Sequence, residues 1–158
     1  MKKILPAFLL FLLLAACSSG PTPSPADSAD GRSAQDVAES VLEAAVFTEE
    51  LESVDAPIAL ALYGLEEEDV LDCAAYLSTG ATAEECAVLI VKDEEAAKAA
   101  LEGLQTRVND QLEALEDYQP AEIPKLEKAL TGSRPAAEGV LVYLVVADDT
   151  AGAAEAIG

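Results

Sequence analysis

Residues 140–147, "VLVYLVVA", are apolar at every position. A run of this length rich in β-branched residues reads as a strand. Having no polar face, it must be covered on both sides. The rest of the chain therefore has to supply strands to pair with it and helices to lie above and below it. "DVLDCAAYLS" (69–78) and "ECAVLIVK" (85–92) read as two further strands, and the short connection "TGATAE" predicts a hairpin between them. In 94–117, Ala97, Leu101, Leu104, Val108, Leu112 and Leu115 form one apolar stripe at helical spacing. Asp93 is positioned as the N-cap, Pro120 ends the helix, and Gly103 inside it costs about 1 kcal/mol against alanine.

The remaining elements are weaker. "SAQDVAESVLEAAVF" opens with Ser33 and Asp36 in capping-box spacing and predicts a first helix over 34–50. Ile58–Tyr63 is a short apolar piece, helical or extended, stopped by Gly64. "AEIPKLEKAL" (121–130) predicts a short helix with Pro124 in its first turn, and "TGSRPAAEG" reads as a loop. The last nine residues, rich in Ala and Gly, are expected to fray. The expected architecture is α+β: a small, mostly antiparallel three-stranded sheet, a long helix across one face, and the N-terminal helix covering the other.

The N-terminus is of a different kind. Lys2 and Lys3 precede an apolar run from Ile4 to Ala16, which is shorter than the roughly 20 residues a spanning helix needs. A charged start, a short apolar core and small residues before a cut describe an export signal over residues 1–16. Leu14-Ala15-Ala16-Cys17 resembles the lipobox of bacterial lipoproteins, which implies a diacylglyceryl group on the Cys17 sulfur and cleavage just before it. Residues 18–33 are Ser, Pro, Gly, Asp, Ala, Thr and Arg, too poor in apolar surface to fold, so 17–33 is expected to be a lipidated tether reaching about 20–25 Å as a coil. The folded domain is then 34–149, followed by a flexible tail over 150–158. The expected location is the membrane, lipid-anchored and facing outside the cytoplasm.

Charge limits the partners. The formal net charge is −21, and loss of Lys2 and Lys3 with the leader makes it −23. Such a surface repels nucleic acid, whose phosphates need basic residues, and anionic lipid headgroups. The charge reads first as a well-solvated, non-sticky surface; the alternative is attraction to a protein partner with a basic surface or to divalent cations.

"LYGLEEEDV", "STGATAEECAVLIVKDEE", "QLEALEDYQPAEIPKLEKAL" and "VLVYLVV" occur in this order and resemble a family of bacterial lipoproteins known as domain of unknown function 4358. The resemblance spans roughly 34–149 and rests on Tyr63-Gly64, Ala81 to Glu85, and Tyr118 with Pro120. Cys86 departs from it where an aliphatic residue is usual, and Leu115 where an aromatic is common. It implies an α+β lipoprotein and brings no activity. It also bears on the two remaining cysteines. A two-residue turn at Thr79-Gly80 would set Cys73 opposite Cys86, in reach of a disulfide. A turn from Thr79 to Glu84 would set Cys73 opposite Ile90. The resemblance treats "ATAEE" as loop, which implies two buried thiols.

No recognisable catalytic constellation appears in the sequence. The chain contains no histidine, which removes the usual Ser/His and Cys/His pairs and most zinc sites. The acidic runs Glu66–Asp69 and Glu49–Asp55 follow no calcium-loop pattern and read as solvated surface. Tyr63 and Tyr118 border helix breaks; each is expected to plug the core edge with its hydroxyl on a backbone group, the alternative being a ligand-facing ring. Arg134, a rare basic residue, is expected to be an intramolecular charge partner, the alternative being a ligand contact. Tyr76 and Tyr143 read as packing residues. The expected function is a membrane-tethered, non-catalytic binding or accessory module with no cofactor and no metal. The alternative is an enzyme of the cell envelope that uses carboxylates and tyrosine.

Overall fold

The computed structural model describes residues 31–158. The expected signal peptide, the lipidation site Cys17 and most of the expected tether lie outside the described residues. The elements run α1 (Ala34–Ala44), β1 (Glu52–Val54), α2 (Ala56–Tyr63), β2 (Val70–Leu77), β3 (Glu85–Val91), α3 (Glu94–Leu115), α4 (Ile123–Glu127), β4 (Leu130–Pro135), β5 (Val140–Val146) and α5 (Ala151–Ile157). They form a five-stranded antiparallel sheet in the order β1-β2-β3-β5-β4. The class is α+β, but the expected three-stranded sheet is corrected to five strands.

The two added strands are both edges. β1 lies in the acidic stretch after α1 and has only three residues. β4 occupies the stretch read as a loop, because Gly132 and Pro135 are poor strand formers. Both are accommodated there. An edge strand tolerates proline, which has no N–H to donate. Gly132 stands opposite Tyr143 on β5, and a Cβ at that position would come within 2.7 Å of the tyrosine ring carbon that bears the hydroxyl.

Strand alternation divides the core into two layers. Ala87, Leu89 and Val91 of β3 and Val140, Val142, Leu144 and Val146 of β5 face α2 and α3. Cys86, Val88 and Ile90, with Leu141 and Val145, face α1 and α5. Both central strands are thus covered on both faces, as 140–147 requires.

The helix ends explain the layout. Ser33 and Asp36 form the capping box of α1, and Ala96 N–H donates to Asp93 Oδ1 at 2.9 Å to cap α3. The first helix stops at Ala44, short of the expected 50. The chain there turns into a bridge, Val46 with Asp149, which ties it to the end of β5. Gly103 in α3 is where the helix meets the last carbonyl of α2: a Cβ at that position would collide with the backbone oxygen of Tyr63. Residues 151–157, expected to fray, form α5, with Ala153 and Ile157 buried against α1. Arg32, placed in the expected tether, donates to the carbonyls of Ala156 and Ile157 at 2.9 and 3.0 Å. A guanidinium there meets the unpaired carbonyls at a helix C-terminus. Arg32 and residues 151–157 are therefore packed into the described fold.

Candidate functional site

The connection from Ser78 to Glu84 and the start of β3 carry the most polar packing in the core. Glu84 and Glu85 are consecutive and each about 1 % exposed. Carboxylates at that burial have to be paired. Strand alternation sends them to opposite sides of the sheet, and each finds a different cation.

Glu84 accepts from the backbone N–H of Thr48 at 3.0 and 2.9 Å, from Thr48 Oγ1 at 2.9 Å, and from Lys125 Nζ at 2.9 Å. Lys125, in α4, also contacts Glu122 Oε2 at 3.2 Å, and Glu122 accepts the N–H of Ala83 at 3.0 Å. The loop, the α1–β1 connection and α4 are thus clamped by one three-charge cluster. Burial pulls the Lys125 ammonium down, but its bonds to Glu84 and Glu122 outweigh this and hold it above its ordinary value.

Glu85 faces the other layer. It accepts from the Tyr63 hydroxyl at 2.8 Å, from Arg107 Nε at 3.1 Å, and from Gln111 Nε2 at 3.4 Å, and Arg107 Nη2 lies 3.1 Å away. Burial pushes its carboxyl above the usual range, against the pull of Arg107 and Tyr63. Burial and the adjacent Glu85 raise the Tyr63 phenol, so it stays protonated and donates. A cavity of about 190 Å³ opens beside this group, lined in part by Ser78, Thr82, Arg107, Gln111 and Gln119. Glu49 closes the loop from outside. Its Oε1 accepts from Ser78 Oγ, and from Thr82 Oγ1 at 2.8 Å. These bonds lower its carboxyl below the ordinary value, led by that of Ser78.

As chemistry, this arrangement positions groups. Glu85 is surrounded by donors that stabilise its charge, and Tyr63 is held as a donor. Together they fix a loop whose tip, Thr79 to Ala81, faces solvent.

The residues singled out from the sequence do not converge. Tyr63 is 2 % exposed, and its hydroxyl is bonded to a carboxylate where a backbone partner was expected. Tyr118 does not plug the core: it is 86 % exposed in the turn after α3. Arg134 lies half-buried on the edge strand β4, where its Nη1 donates to the Pro135 carbonyl at 3.1 Å. Cys73 pairs in register with Leu89, and Cys86 with Tyr76, a third register between the two considered. Cys73 packs in the α2–α3 layer and Cys86 in the α1–α5 layer, on opposite faces of the sheet. Both are free thiols, Cys86 buried and Cys73 half-buried. Burial raises Cys73 to about 11 and Cys86 to about 12.

Sequence reasoning missed Glu84, Glu85, Arg107 and Lys125 as partners. The signal was present: two acids open an otherwise apolar strand in "EECAVLIV", and charges in such a run need cations.

Among the described residues no cluster of three or more His, Cys, Asp and Glu side chains could hold a metal, and no helix is long and apolar enough to cross a membrane. No curated protein and no solved structure matches the chain. A family model described as "Domain of unknown function (DUF4358)" matches residues 44–147. That span takes in all five strands and the whole Glu84–Glu85 cluster, and omits α5 and nearly all of α1. The chain belongs to the DUF4358 family.

Proposed function

We propose that this protein is a lipoprotein anchored through Cys17, whose domain is a non-catalytic binding module outside the cytoplasm that engages a partner with a basic surface. One observation carries the reading. Arg107 and Lys125, two of the few basic residues after the leader, are consumed by buried Glu85 and Glu84. The runs Glu66–Glu68 and Glu94–Glu95 stay exposed, so the charge offered to solvent is acidic. Complementary charge on a partner speeds encounter and sets specificity, and a membrane tether raises the effective concentration of even a weak binder.

The way the chain enters the domain gives the tethered domain an orientation. Ala34 N–H donates to Asp72 at 2.8 Å, beside the start of β2. The Ser78–Glu84 loop lies at the other end of that strand, about 20 Å away at 3.3 Å per residue. A tether arriving at Arg32 would leave the loop end turned from the membrane.

The alternative is an envelope enzyme using a carboxylate and a tyrosine, for which the Tyr63–Glu85 pair is the geometric candidate. Cross-linking in intact cells, with the purified full chain screened against cell-wall and peptide substrates, separates the two. The binding reading expects a discrete cross-linked protein with a basic face and no turnover. Turnover abolished by Glu85→Gln or Tyr63→Phe would replace it with the enzyme.

A further inference from the structure

On the α1 side of the sheet, a groove of about 530 Å³ runs between the end of α1 and the edge formed by β1 and β2. Its walls are apolar: Leu42, Val46, Phe47, Leu51 and Tyr76. Val46 is 51 % exposed, while Leu42, Phe47 and Tyr76 are half-buried. The Tyr76 hydroxyl lies 2.5 Å from Gln35 Nε2 of α1, which fixes that wall. The ionisable residues lining the groove are Glu49 and Glu50, apart from Tyr76 itself, so its charge is of one sign. Glu49 is preorganised, since Ser78 and Thr82 both bond its Oε1. Lys125 reaches Thr48 at 3.3 Å, but its charge is taken up by Glu84 and Glu122.

We propose that this groove is the partner-binding site, and that it receives an extended segment carrying an apolar side chain next to a lysine or arginine. The proposal rests on the binding-module reading above and adds the place and the chemistry. The apolar walls take the side chain, and Glu49 and Glu50 take the neighbouring cation. The volume suits one large side chain with its flanking backbone. β1, at the edge of the sheet beside the groove, offers main-chain groups of the kind that pair with an added strand.

The test uses the full-length chain in lipid nanodiscs with methyl-labelled Leu and Val. The probe is a short peptide with a central leucine flanked by lysines; the control has glutamates in place of the lysines. Saturable shifts at Leu42, Val46 and Leu51 are expected with the lysine peptide and not with the control. The double variant Glu49→Gln/Glu50→Gln should bind roughly three- to tenfold more weakly, two exposed ion pairs' worth. Val46→Lys, at an exposed position that leaves the core intact, should abolish binding. Silence at the groove, equal shifts with both peptides, or indifference to both variants would overturn the proposal. A silent groove alongside a basic cross-linked partner would remove the site and leave the binding reading standing. Groove binding without any cellular partner would do the reverse.

Discussion

Glu84 illustrates how an interior charge is tolerated. Its oxygens are satisfied by Thr48 and Lys125, and Lys125 itself is 11 % exposed. Removing one partner strands the other, which typically costs about 3–5 kcal/mol in a buried pair. Glu84→Ala should therefore lose about that much in urea unfolding, and Glu84→Ala/Lys125→Met should lose less than the two single changes added together. Strict additivity would mean the pair is not coupled. Glu85 behaves differently with pH. Burial raises its folded value above the ordinary 4.5, so the folded state holds the proton more tightly than the unfolded chain. Its contribution to stability is fully present below the unfolded value and is lost as pH rises through the folded one. Between about pH 4 and pH 7, the stability of Glu85→Gln relative to wild type should rise. A relative fall over that range, measured by urea unfolding at several pH values, would contradict the assignment. These partners were only half legible in the sequence. The acids stand out against an apolar strand, but Arg107 and Lys125 come from distant helices, and only the tertiary fold selects them from the other basic residues.

At the scale of elements, legibility followed local signal strength. Long apolar periodicity marked α3, continuous apolar runs rich in β-branched residues marked β3 and β5, and the short connection to β3 marked β2 as its hairpin partner. The capping box of α1 was readable because it is purely local. β4 was hidden because its Gly132 is set by pairing opposite Tyr143 and its Pro135 is acceptable only because the strand is an edge, both facts of pairing. α5 was hidden because its helicity depends on burying Ala153 and Ile157 against α1, beyond any propensity of its own. Gly103 makes the same point in a testable way. In an isolated helix, Gly→Ala is stabilising by about 1 kcal/mol. Here the new methyl would meet the Tyr63 carbonyl, so α2 and α3 must separate. Gly103→Ala should lower stability by about 1–3 kcal/mol, as overpacking does. A higher melting temperature for this variant would show that the helices yield freely.

For the whole molecule, two central strands shielded by helices on both sides leave an acidic exterior. Lipidation is the feature on which the proposed role depends first. Mass spectrometry of the native protein should find Cys17 as the mature N-terminus carrying a diacylglyceryl group; a free Cys17 thiol in a chain starting elsewhere would remove the anchor. The central claim is that this tethered acidic domain binds a basic partner by complementary charge. The most direct measurement is the affinity of the full-length chain for its cross-linked partner as salt is raised from about 0.05 to 0.5 M, a range over which the screening length shrinks several-fold. Affinity that falls steeply and continuously with salt is the predicted result; affinity that stays level across the range would contradict it.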